Sequence, residues 1–129
     1  MFSLNALTNM VQGVKISKEK VGTKYNWQIM KGQIVIGEAF CKQTPDDKQI
    51  EISMIRRVNP TGKGLMSLLL QEILNDTKRL KKDCVIEVKP FNDPFRPFES
   101  VSGAYKRVYK WYKQFGFDIN GADGILRNN

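Results

Sequence analysis

Apolar residues along this chain recur first at a spacing of two and later at three and four. Ile50, Ile52 and Met54 alternate with Glu51 and Ser53, which predicts a strand from Ile50 to Val58 with one face in the core. Ahead of it, Tyr25 to Met30 and Gln33 to Cys41 flank Lys31-Gly32, a tight hairpin signal, and Val14 to Lys18 reads as an earlier strand. Antiparallel strands joined in a meander are the expected arrangement. From Lys63 to about Lys82, the positions Leu65, Leu68, Leu69, Ile73 and Leu80 mark an amphipathic helix packed on that sheet. Cys84 to Val88 is then a short strand reached by a helical crossover, and so able to lie parallel to its predecessor. A last helix beginning at Ser102 sets Tyr105, Val108, Tyr109, Tyr112 and Phe115 on one face and Lys106, Lys110 and Lys113 on the other, with Gly116 as its left-handed cap. Fainter patterns predict a short helix within Phe2 to Val11 and a closing strand near Gly124 to Leu126. The fold class is therefore α/β in the α+β sense: a mixed, mostly antiparallel twisted sheet with one parallel crossover, flanked by helices.

One junction carries candidate chemistry. The strand ending at Val58 meets Pro60, passes Thr61-Gly62-Lys63-Gly64 and opens at once into the long helix at Leu65 and Met66. Glycines let the backbone turn tightly, and the first N–H groups of a helix point outward with the positive end of its dipole behind them. An anion is the expected guest. Elsewhere, Phe91 to Phe98 is a loop rich in proline and phenylalanine, either packed down on the core or forming a lid.

Composition narrows the chemistry. The chain has 129 residues and is read as one domain, 1–129, with a single core. It holds no histidine, which removes Ser-His-Asp and Cys-His catalysis and histidine-ligated zinc, and no metal site is expected. Cys41 and Cys84 lie within apolar strands and read as small buried residues. A net charge of +8 and a pI near 9.6 favour an anionic partner, whether a nucleotide cofactor, a nucleic acid or an acidic protein. No apolar run approaches the ~20 residues that span a bilayer, and the N-terminus has neither a basic leader nor a sustained apolar stretch, so a cytoplasmic, membrane-free protein is expected.

The glycine turn and the segment Tyr109-Lys110-Trp111-Tyr112-Lys113-Gln114-Phe115-Gly116-Phe117, with its tyrosine four residues before Gly-Phe, together resemble the GNAT superfamily of N-acetyltransferases. The resemblance runs from about Trp27 to Ile119 and implies a GNAT-like fold with a reduced N-terminal helical region. It implies acetyl-CoA as co-substrate: pantetheine along the strand backbone around Arg56 and Val58, the diphosphate on the stretch from Thr61 through Gly62, Lys63, Gly64 and Leu65 to Met66, and Asn92 nearby. Thr61 stands where the family has Arg or Gln, and Met66 where it has Gly or Ala. Tyr112 matches the family tyrosine that faces the cofactor sulfur, and Glu51 resembles a glutamate that serves some protein-acetylating members as general base, with Glu38 as a substitute.

The resemblance implies transfer of an acetyl group to a primary amine. Little sequence separates Lys18 from Tyr25, where family members carry helices that wall the acceptor site, so an open cleft and a macromolecular acceptor are expected, a protein lysine or N-terminus ahead of an aminoacyl-tRNA. The alternative is a catalytically silent binding module that engages a protein or nucleic acid through its basic surface.

Overall fold

A computed structural model describes residues 13–60, 64–89 and 95–128. The predicted helix within Phe2 to Val11 and the residues Thr61, Gly62, Lys63 and Asn92 lie outside the described residues. Seven strands, β1 (Val14–Val21), β2 (Lys24–Lys31), β3 (Ile34–Gln43), β4 (Gln49–Arg57), β5 (Asp83–Glu87), β6 (Asp118–Asn120) and β7 (Asp123–Leu126), form one sheet in the order β1-β2-β3-β4-β5-β7-β6. All pairings are antiparallel except β4 with β5, joined by helix α1 (Leu65–Arg79). Helix α2 (Val101–Gln114) links β5 to β6.

The meander includes β1, which pairs along its whole length with β2. Lys15, Lys18 and Lys20 keep this edge charged, a device that discourages pairing with another chain. On the inner face, Trp27 and Ile29 of β2, Ile36 and Ala39 of β3, Ile50 and Ile52 of β4 and Ile86 of β5 are all buried. Leu65, Leu69, Leu70, Ile73 and Leu74 of α1 close over them at helical spacing. Ala104, Val108 and Tyr112 of α2 join the same core, and Trp111 Nε1 donates to Ser67 Oγ at 3.0 Å, fastening the two helices side by side. Both cysteines are buried and unbridged, and burial pushes the Cys41 thiol up to about 12.

The structure differs from the expected elements in four details. Leu80 lies past the end of α1 and is 40% exposed, because the helix stops at Arg79. Met54 leaves the core face: the β3–β4 register shifts by one between Phe40/Met54 and Cys41/Ile52, so Ser53 is the extra residue of a bulge and Ile55, 4% exposed, takes the inward position. The strand pattern is thus Ile50, Ile52, Ile55. Third, β6 had no sequence signal of its own, being three residues long with a single apolar position. Helix α2 begins one residue earlier than expected, with Ser100 Oγ accepting from the Gly103 amide at 2.9 Å, and Gly116 adopts the left-handed conformation at φ 98°.

A second close fit concerns Gly37 in β3. A Cβ built there would sit 2.2 Å from Met66 Sδ and 3.2 Å from the Arg56 carbonyl oxygen, so the methionine of the first turn of α1 rests directly on the bare backbone of β3. Gly37→Ala is expected to destabilise the protein by about 1–3 kcal/mol through overpacking. Adding Met66→Ala should relieve part of that loss, so urea denaturation of the single and double variants should show strong coupling between the two sites.

Candidate functional site at the fork between β4 and β5

Parallel pairing of β4 with β5 extends only from Gln49/Asp83 to Ile52/Ile86. Beyond it β4 continues through the Ser53 bulge to Arg57, held by β3 alone, while β5 runs one residue further to Glu87. The two strands form a fork. The side of β4 that faces into it follows from antiparallel alternation: the Val58 amide donates to the Ile36 carbonyl at 2.7 Å, so Ile36/Val58 is a hydrogen-bonded pair and Glu38/Arg56 is the next. The backbone groups of Ile55 and Arg57 therefore turn away from β3 and into the fork. Sequence reading centred on Arg56 and Val58, whose backbone groups face β3; the missed signal was the bulge, which periodicity reports only as a break in alternation.

Beside the fork, α1 opens at Gly64, which holds φ 85°. That left-handed conformation suits glycine, and a Cβ built there would meet no atom within 4 Å. Among the described residues no side chain caps the helix, and no acidic residue stands in its first turn to answer the positive end of its dipole. Leu65 is buried beneath them. Met66 directs its sulfur toward Gly37 rather than the helix mouth. These features fit an anionic group such as a diphosphate.

Tyr112 sits on the helix-bearing face of the sheet, 2% exposed, with its ring edge-on to Phe117 at 5.5 Å and beside Trp111 at 5.3 Å. Burial drives its phenol well above the ordinary range, with the nearby Cys84 and Cys41 thiols pushing in the same direction. A phenol held in its protonated form has an O–H to donate.

Glu51 lies on the face opposite the two described helices, beside Val85 in the paired part of β4, with Lys42 Nζ at 3.8 Å. The sheet thus separates Glu51 from Tyr112. Glu38 is committed to Arg56, whose Nε donates to it at 2.6 Å. Around Glu51 runs a groove of about 540 Å³ with Val85 and Ile125 in its lining and Glu87, Asp118 and Asp123 as further carboxylates. Near α2, Phe98 is wholly exposed and Phe95 is 38% exposed, so the described part of the aromatic loop does not pack down on the core. Among the described residues, no group of histidine, cysteine, aspartate and glutamate side chains could hold a metal, and no helix is long and apolar enough to cross a membrane.

No protein-family profile matches the chain, and no curated protein matches its sequence. Solved structures do. The ribosomal-protein-S18-alanine N-acetyltransferase of Escherichia coli superposes with a TM-score of 0.65 at 14% identity, over 98% of this chain and 88% of its own. A GNAT family acetyltransferase from Elizabethkingia anophelis with acetyl-CoA bound gives 0.61 at 14%, covering 90% of this chain and 97% of its own. The PaiA N-acetyltransferase of Thermoplasma acidophilum in complex with coenzyme A gives 0.52 at 18%, covering 80% and 58%. Identity this low speaks for the backbone. The fork, the crossover helix beginning at its mouth and the strand order together give this chain the fold of the GNAT N-acetyltransferases.

Proposed function

We propose that this protein is an acetyl-CoA-dependent N-acetyltransferase acting on a primary amine of a macromolecule. One observation carries the reading: β4 and β5 part just past Ile52, next to a helix that starts at a left-handed glycine and has no side-chain cap. Met66, which stands where the family has Gly or Ala, has its sulfur against Gly37.

Acetyl-CoA supplies an already activated thioester. Amides of the turn from Thr61 to Gly64 and of Leu65 and Met66 hold its diphosphate, chiefly through backbone N–H groups, so Thr61 in place of Arg or Gln is tolerated. Ile55 and Arg57 offer the backbone groups that pair with the pantetheine amides; the resemblance adds Arg56, Val58, Lys63 and Asn92 as neighbours. Tyr112 donates a hydrogen bond to the departing sulfur and keeps its proton. Even an ordinary phenol at ~10 gives a proton to a thiolate whose conjugate thiol has a pKa near ~8.5 at a cost of roughly 2 kcal/mol, and burial of Tyr112 increases that cost.

The acceptor approaches along the groove on the opposite face, where carboxylates suit a cationic substrate. Glu51, through a water, takes the ammonium proton there. Neutralising a lysine at pH 7 costs about 4.6 kcal/mol and an α-amine only about 1 kcal/mol. The smaller demand favours a protein N-terminus over a lysine side chain. The E. coli neighbour, a ribosomal-protein-S18-alanine N-acetyltransferase, is consistent with that preference.

Acetyl-CoA at about a hundred times its dissociation constant should add ~2.7 kcal/mol and raise the melting midpoint by roughly 10 °C in a thermal-shift assay; a midpoint unmoved at millimolar cofactor sinks the reading. Tyr112→Phe should lower kcat about tenfold and leave cofactor affinity intact, and the wild-type rate should show no tyrosine limb where an ordinary phenol ionises near pH ~10. Glu51→Gln should slow acetylation of a basic peptide at pH 7 by tenfold or more, with recovery as rising pH deprotonates the amine by itself. A uniform loss at every pH would remove Glu51 from proton transfer.

A further inference from the structure

Helix α2 carries four cations and no acidic residue over Val101–Gln114. Arg107 is used internally, holding Glu99 with Nε at 2.9 Å and Nη2 at 2.9 Å. Lys106, Lys110 and Lys113 are exposed and, among the described residues, none has a carboxylate within ion-pair distance. Their spacings of four and three residues put them on one stripe, opposite Ala104, Val108 and Tyr112. Like charges at those spacings destabilise a helix, and a surface helix kept only for solubility would interleave signs. The stripe is therefore a feature the fold does not need for its own stability.

The flank of the same stripe is aromatic. Tyr105 and Tyr109 are half-buried and stacked, centroids 6.3 Å apart at 28°, and Tyr105 Oη donates to the Gly121 carbonyl at 3.0 Å, which fixes that ring against the β6–β7 turn. Lys113 Nζ lies 5.9 Å from the Tyr109 ring centre. Exposed cations flanked by aromatic rings that rest on the core and keep part of their surface exposed form an arrangement that tracks a single-stranded polyanion: phosphates on ammonium groups, bases against the exposed part of the rings. An acidic peptide would use the lysines and leave the rings idle.

We propose that this outer face of α2, from Lys106 to Lys113 with Tyr105 and Tyr109 beside it, is a docking surface for single-stranded nucleic acid, separate from the fork. The test uses the full chain and a fluorescently labelled oligouridylate, with binding followed by anisotropy across a salt series. Three phosphate contacts should give a slope of log K against log salt near −2. A triple variant, Lys106→Ala, Lys110→Ala and Lys113→Ala, should lose at least tenfold in affinity at low salt and flatten the slope, while its melting midpoint holds or rises as the like-charge repulsion is removed. The triple arginine variant should retain binding. A duplex of equal length should bind more weakly than the single strand, since its bases are not free to stack. Oligodeoxythymidylate binding like oligouridylate would support the surface as indifferent to the sugar. Oligonucleotide affinity unchanged in the alanine variant, equal affinity for duplex and single strand, or a polyglutamate of equal charge binding as tightly would each overturn the assignment.

Discussion

Two parallel strands that stop sharing hydrogen bonds after Ile52 and Ile86 are the constraint on which the rest of this molecule depends. Buried backbone groups demand partners, and strands normally continue pairing to meet that demand. Here β4 leaves its neighbour, and the extra residue Ser53 marks the departure by bending the strand and turning Ile55 inward. The backbone of Ile55 and Arg57 then borders an opening rather than a strand. Helix α1 must return the chain from the end of β4 to the start of β5, so its first turn lies at the mouth of that opening. A cleft and a helix terminus are brought together by one topological step, and the side chains that line them are secondary.

Much of this was legible in the residues. The hairpin at Lys31-Gly32, the parallel crossover and both described helices follow from apolar spacing and turn chemistry, and the glycine turn and the segment at Tyr112 together suggest the fold. Illegible parts share a physical reason. A bulge changes which residues face inward without changing composition, so Met54 and Ile55 exchange roles unannounced. Helix ends obey local hydrogen bonding more than periodicity, so Leu80 fits the spacing of α1 and still lies outside it. At the candidate site, Glu51 and Tyr112 could each be singled out, but no pattern in the chain says that the sheet stands between them.

Charge is distributed by face as well as by amount. A chain with a surplus of +8 keeps Glu51, Glu87, Asp118 and Asp123 around one groove on the side opposite the two described helices. On the other side, α2 has only cations. The buried Asp76, 4% exposed, serves structure: Lys18 Nζ reaches it at 2.8 Å from β1, and Arg79 meets it from the next turn of α1. That contact ties the edge strand to the crossover helix and leaves the outer cations of α2 uncompensated.

The packing of Met66 on Gly37 says something about how such folds vary. Room for a close approach between a helix and a strand is one volume, and either partner can provide it. In this chain the small residue, Gly37, stands on the strand and the larger one, Met66, on the helix. A consensus that requires smallness at a single column of an alignment registers Met66 as a loss, although Gly37 provides the space its side chain occupies. Relatives of this kind are better sought by the summed size of residues that touch than by the identity of either one.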